Sequence, residues 1–446
     1  MAGPAHVLGR DRIDFDQVPP QPAYRSLERF RLGAFLMISN TSVSSSPMVS
    51  QDTDPATVGA VAASDSPDSV LLADRAHDWA AAYVHLPFCA RVCPYCDFAV
   101  VAGRDDLIEQ YVSAVVSEIR REGDWSPLAS IYVGGGTPSR IRPALAGSLI
   151  QALDDRFGIE VGAEISLEAN PEDWTPAVAA LWAAVGFERV SFGSQSFDEH
   201  VLDRLGRRHR PDQIAAAVTS ARAAGFRSVN LDLIFGTPGE TLVSWNDTLD
   251  RAVALEPDHL SCYALTVEPG TKLGRAVAGG APGPDPDLQA DFYESACERL
   301  VAAGLVRYEV SNWARPGHTV RYNLAVWARA EYLAFGMGAH RFRDGVRSHN
   351  RRLLDGYLRS IEEGDSATAG SEVIDGWPAE VERVFLGIRR VAGVAAGEAG
   401  NTLMSSEEGQ RLAAAGVIEL AGGRLVVKRP LLTDHVARAV LALVPP

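Results

Sequence analysis

His85-Leu86-Pro87-Phe88-Cys89-Ala90-Arg91-Val92-Cys93-Pro94-Tyr95-Cys96-Asp97-Phe98 closes a β-rich apolar run, Ala82–Phe88, and carries three of the five cysteines. That run is the first of six. Ser130–Val133, Glu164–Glu168, Arg189–Phe192, Ser228–Ile234 and Leu260–Thr266 follow it. Helix-like stretches alternate with them: Leu107–Arg121, Ala144–Phe157, Pro176–Val185, Asp212–Ala224 and Thr241–Leu255. Six β-then-α units with short connections predict parallel strands. The polar and Gly-rich signals all come after the strands: Gly134–Thr137, Glu168–Asn170, Ser194-Gln195, Asp232 and Gly236-Thr237-Pro238. That shared polarity favours a barrel over a doubly wound sheet, and a span of about 180 residues is short for eight repeats. The reading is an α/β fold, a partial (β/α)6 barrel that stays partly open.

Beyond the barrel the signals weaken. Residues 1–75 run through Pro19-Pro20-Gln21-Pro22 and an Ala/Asp/Ser patch without sustained periodicity, which predicts a disordered extension. Met37 and Met48 are alternative starts. The barrel core is assigned to residues 76–275 and an extension completing it to 276–377, with a helix at Leu288–Ala303 and a strand at Arg307–Val310. Residues 378–446 read as a small α+β module, winged-helix-like, with a hairpin of Val417–Leu420 and Leu425–Val427 around Gly422-Gly423.

The 446 residues are 46% hydrophobic and 22% charged, enough for a large core and against wholesale disorder. A formal charge of −15 argues against a general nucleic-acid binder, including at the basic run Arg204–Arg210. The longest apolar runs fall short of the ~20 residues that span a bilayer, and nothing at Met1 has the form of a secretory signal. No stable membrane anchor and a cytoplasmic setting are the expectations.

Thiolates separated by three and then two residues can wrap a short loop around one soft metal centre. A four-iron cluster held this way keeps one iron without a protein ligand, open to a substrate or cofactor. A zinc site on Cys89, Cys93 and Cys96 with His85 as fourth ligand is the alternative. Cys262 and Cys297 have no assigned role.

Cys89-x3-Cys93-x2-Cys96 after the first strand of a β/α barrel resembles the radical S-adenosylmethionine (radical SAM) superfamily. Tyr83-Val84-His85-Leu86-Pro87-Phe88-Cys89 and Pro94-Tyr95-Cys96-Asp97-Phe98 are similar to the oxygen-independent coproporphyrinogen III oxidase family, and within it to the HemW heme-chaperone branch. The resemblance covers the chain from Ala81 onward. It implies a [4Fe–4S] cluster on the three cysteines and SAM contacts from Tyr83, Gly135, Gly136, Thr137, Glu168, Gln195, Arg207 and Asp232. Electron transfer into SAM would release methionine and a 5′-deoxyadenosyl radical, with a flavodoxin- or ferredoxin-like donor implied.

Oxidases of this type carry a further cysteine two residues after the third, where this chain has Phe98. The chaperones carry a His-Asn-x-x-Tyr-Trp stretch linked to heme. Its counterpart here is Tyr322-Asn323-Leu324-Ala325-Val326-Trp327, with Tyr for His and Val for Tyr. Tyr322, Asn323, Trp327 and His340 are the candidate heme residues; His318 and His349 are nearby alternatives. The implied function is a heme chaperone that binds heme and hands it to an acceptor protein. The alternatives are a coproporphyrinogen III oxidase and a structural zinc protein.

Overall fold

Arg189-Val190-Ser191-Phe192-Gly193-Ser194-Gln195 alternates polar and apolar side chains, the pattern of a strand whose faces meet different surroundings. The computed structural model describes residues 78–446, so the extension expected to be disordered lies outside the described residues. Six strands run parallel in sequence order: β1 (Ala81–Leu86), β2 (Leu128–Gly135), β3 (Ile159–Ala169), β4 (Arg189–Gln195), β5 (Ser228–Phe235) and β6 (His259–Ala264). The parallel α/β arrangement agrees with the reading of the sequence. Three of the intervening helices, Pro143–Phe157, Pro176–Ala184 and Pro211–Ala223, open on proline, whose missing N–H costs nothing in a first turn.

Apolar positions of the strands, such as Val190, Phe192, Val229, Leu231 and Leu260, pack into one large core with helix residues such as Leu149, Ile214 and Leu249. The polar positions between them line a cavity on the inner face: Arg189 and Ser191, Asn230 and Asp232, His259 and Ser261. The interior of a closed (β/α)8 barrel is filled by branched apolar side chains. Here the inner face is hydrophilic and hollow.

The remaining strands extend both edges. β7 (Val306–Arg307) and β8 (Asn312–Ala314) lie antiparallel beyond β6. The strand expected over Arg307–Val310 is shorter. Buried Glu309 accepts from the Ser311 N–H at 3.2 Å and from the Asn312 side chain, turning the chain back so that Trp313 pairs with Arg307. β9 (Tyr332–Phe335) pairs parallel to β1, followed by antiparallel β10 (His340–Arg343), β11 (Val346–Asn350) and β12 (Thr368–Val373). Among the described residues the sheet order is β12-β11-β10-β9-β1-β2-β3-β4-β5-β6-β8-β7, with edges at β12 and β7.

The C-terminal helices Gly376–Gly387, Gly397–Ser405, Glu407–Ala414 and Thr433–Leu441 surround a three-stranded sheet in the element order of a winged helix. They have their own core of Val381, Val384, Leu403, Leu425, Val436 and neighbours. Glu382, 1% exposed, ties this module to the main sheet by pairing with Arg329 at 2.7 Å and with Arg347 of β11. Removing one partner of a buried ion network strands the others. Glu382→Ala should therefore lower the unfolding free energy by about 3–5 kcal/mol, read as a shift of the urea midpoint.

Candidate functional site

The cysteine loop is held by its backbone. Phe88–Cys89 pairs with Val101–Ala102, closing both ends of the loop. The Val101 N–H donates to the Pro87 carbonyl at 2.9 Å, Cys96 N–H to Cys93 O at 3.2 Å and Leu273 N–H to Pro94 O at 2.8 Å. The Arg352 guanidinium donates to Asp97 O. His85 Nε2 meets the Ala99 carbonyl at 2.8 Å. A carbonyl only accepts, so Nε2 carries the proton, and Nδ1 accepts from the Tyr83 hydroxyl at 3.0 Å. Burial lowers the His85 pKa to about 4, keeping the ring neutral.

Both His85 nitrogens are thus engaged, which removes the fourth ligand of the zinc alternative. Three soft sulfurs on one loop remain, one donor short of a closed zinc site and suited to a cluster with an open iron. All three cysteines line the cavity, whose volume is about 230 Å³. Burial pushes the Cys96 thiol up to about 12 and raises that of Cys89. Thr137 Oγ1 lies 3.6 Å from Cys89 Sγ, and Arg207 Nη1 3.7 Å from Cys93 Sγ.

The turn after β2 brings backbone against this loop. Gly135 has φ +121°, and a Cβ there would sit 2.6 Å from the His85 ring. A Cβ on Gly136 would meet the Pro87 carbonyl at 2.6 Å and Cys89 Sγ at 2.9 Å. Glycine is needed at both positions. Glu168, near the end of β3, accepts from the Gly135 N–H at 2.9 Å and the Tyr132 hydroxyl at 3.0 Å. Burial raises its pKa to about 7.

Arg207 donates to the Gly193 carbonyl at 2.9 Å and to Asn170 Oδ1, while Asn170 Nδ2 reaches Thr137 Oγ1 at 3.2 Å. The Arg207 Nε, buried beside the cavity, has no hydrogen-bond partner among the described residues. Gln195 has φ +63° at the register break between β4 and β5, turning its side chain into the cavity. Asp232 accepts from Ser191 at 2.7 Å and Asn230 at 2.8 Å, and burial raises its pKa.

Of the residues read from sequence as SAM contacts, seven line this one cavity: Gly135, Gly136, Thr137, Glu168, Gln195, Arg207 and Asp232. Tyr83 stands one layer behind, 3% exposed, stacked on Tyr132 and Tyr322 and bonded to His85. The candidate heme residues do not gather. The helix Arg321–Trp327 caps the end of the barrel opposite the cysteine loop, where the Arg321 N–H donates to Glu164 at 3.0 Å and its side chain to the Gly162 carbonyl at 2.9 Å. From there Tyr322 packs against both Tyr83 and Tyr132, and Asn323 lines the cavity floor. Trp327 is 1% exposed, under Arg389, and His340 of β10 stacks on His349; neither lines the cavity.

The sequence assigns no role to Tyr132, Asn170, Arg189, Ser191, Asn230 and His259, all of which line the cavity. The polar alternation of β4, β5 and β6 was the available signal for the last four.

Residues 83–252 match the model of the radical SAM superfamily. The heme chaperone HemW of Mycobacterium tuberculosis is 38% identical over 370 residues, 80% of this chain and 94% of the relative. The heme chaperone HemW of Escherichia coli is 36% identical over 288 residues, 62% and 75% of the two chains. In fold, the chain is similar to the coproporphyrinogen III oxidase HemN of Escherichia coli, a radical SAM enzyme. That match has a TM-score of 0.70, 23% identity, and covers 83% of this chain and 92% of the other. A three-cysteine loop closing the first of six parallel strands, a glycine turn packed on it and a relative aligned over nearly its whole length agree: the chain belongs to the radical SAM superfamily, in the family of the HemW proteins.

Proposed function

We propose that the chain is a cytoplasmic heme chaperone, binding heme and passing it to an acceptor protein. Membership of the radical SAM superfamily implies a [4Fe–4S] cluster and SAM. Phe98 carries the choice of chaperone over oxidase: it lines the cavity where the similar oxidases have a further cysteine. The relatives named as heme chaperones support the same choice.

In this reading Cys89, Cys93 and Cys96 hold the cluster. When bound, it supplies an electron for the reductive cleavage of SAM, drawn from a flavodoxin- or ferredoxin-like donor. Arg207, braced by Asn170 and the Gly193 carbonyl, presents its free Nε edge to the methionine carboxylate. Glu168 receives the ammonium or a ribose hydroxyl, and Gln195 and Asp232 receive ribose hydroxyls. The Gly135-Gly136 turn lets backbone approach the ligand. Tyr83 acts through His85, fixing the return leg of the cysteine loop at Ala99.

The test is hemin titration of the anaerobic, cluster-loaded chain. A saturable Soret shift at one hemin per chain is expected, and no shift overturns the reading. In parallel, the loaded chain with SAM, reductant and coproporphyrinogen III should form no vinyl product. Vinyl product would assign the oxidase activity instead.

A further inference from the structure

Arg189, the first residue of β4, is 2% exposed at the floor of the cavity, at the end away from the cysteines. Its Nη1 donates to Ser228 Oγ at 2.7 Å and to the His318 carbonyl at 2.9 Å, both neutral groups. Its Nη2 has no hydrogen-bond partner among the described residues. Glu164 and Asp232 lie within electrostatic reach of its charge but accept their hydrogen bonds from other donors. Glu164 Oε1 takes the Arg321 N–H at 3.0 Å, and the two oxygens of Asp232 take Ser191 and Asn230. Ser166, opposite Arg189 in the β3–β4 register, is 2% exposed, lines the same cavity and leaves its hydroxyl unpaired among the described residues.

A buried guanidinium with an unused N–H edge is costly unless an anion completes it. The unpaired edge and the unpaired hydroxyl flank one spot on the inner face, and Val320 and Asn323 of the capping segment line the same floor. The SAM residues are set nearer the other end of the strands, around Gly135, Gln195 and Arg207. The anion taken at the floor is therefore a second one, separate from the carboxylate at Arg207.

We propose that Arg189 and Ser166 form a carboxylate-binding pocket at the capped end of the barrel, which receives one propionate of the bound tetrapyrrole. This rests on the heme-chaperone reading and adds to it an address for the cargo inside the barrel. Arg189 supplies a charge-assisted hydrogen bond and Ser166 a neutral one. Esterified propionates cannot accept the first in ionised form.

The experiment compares hemin with hemin dimethyl ester on the cluster-loaded full chain, followed by the Soret band. Wild type should bind hemin about tenfold or more tightly than the ester, the range of a charge-assisted hydrogen bond. Arg189→Met should bind both alike. Ser166→Asp, which places a carboxylate beside the guanidinium, should also erase the preference and keeps the floor neutralised should Arg189→Met fold poorly. Both variants should bind SAM as wild type does.

Equal binding of hemin and ester by wild type, or a preference that survives both substitutions, overturns the pocket and leaves the chaperone reading standing. Loss of SAM affinity in the variants overturns it too, because the anion is then the cofactor's own carboxylate. Failure of wild type to bind hemin overturns the chaperone reading and the pocket together.

Discussion

Cys93→Ala is expected to strip the chain of iron. Reconstituted anaerobically, wild type should be brown and hold about four iron atoms per chain. The variant should be close to colourless, with most of the iron gone. Two remaining thiols cannot hold a cluster whose fourth iron already lacks a protein ligand. Cys93 is also the sulfur that Arg207 approaches, so SAM affinity should fall with the iron. The thermal midpoint of the variant should nevertheless stay close to that of the unloaded wild type. The loop is clamped by Phe88–Cys89 pairing with Val101–Ala102 and by carbonyl bonds at Cys93, Pro94, Asp97 and Ala99. None of these bonds uses a sulfur. Full iron content in Cys93→Ala would refute the ligand assignment. A collapse of the midpoint would refute the claim that the loop is held independently.

Arg207→Met should weaken SAM binding by about 10- to 100-fold, the worth of hydrogen bonds to a charged group, with iron content largely kept. The methionine chain fills the same volume but cannot meet a carboxylate, and it releases Asn170 and the Gly193 carbonyl from their shared donor. Asn170 also reaches Thr137, so the loss spreads to the glycine turn. Arg210→Met is the control. Arg210 lies in the same basic run but is exposed and pairs with Asp203 at 2.8 Å. It should leave SAM affinity unchanged. Equilibrium dialysis with labelled SAM gives both values, and equal affinity in Arg207→Met and wild type would remove Arg207 from the site.

Much of this architecture is legible without coordinates. The parallel strands declare themselves because each is a short apolar run followed by a helix of regular period. Their site residues share the downstream ends because parallel connections leave those ends free for loops. The cysteine loop is legible because metal chemistry constrains spacing in sequence.

Other features depend on contacts distant in sequence. β9 pairs with β1 across most of the described chain, and nothing in Tyr332–Phe335 alone announces a parallel neighbour. Arg189 reads as an ordinary strand start until the curve of the sheet turns it inward beside Ser228 and the His318 carbonyl. Tyr322-Asn323 is conspicuous as a string, yet its place at the capped end follows from Arg321 binding Glu164 and Gly162. The zinc alternative needed His85 to be free, and only the positions of Tyr83 and Ala99 show that it is not.

The clamped loop bears on how such a protein survives in air. Iron–sulfur clusters with an exposed iron are readily lost to oxidants, and a domain that folds only around its metal loses its structure along with it. Here the cradle is held by hydrogen bonds that use no sulfur, so damage should cost the chain its prosthetic group and spare its shape. An emptied molecule that keeps its loop in place would then be open to refilling, and one chain could serve several clusters in turn.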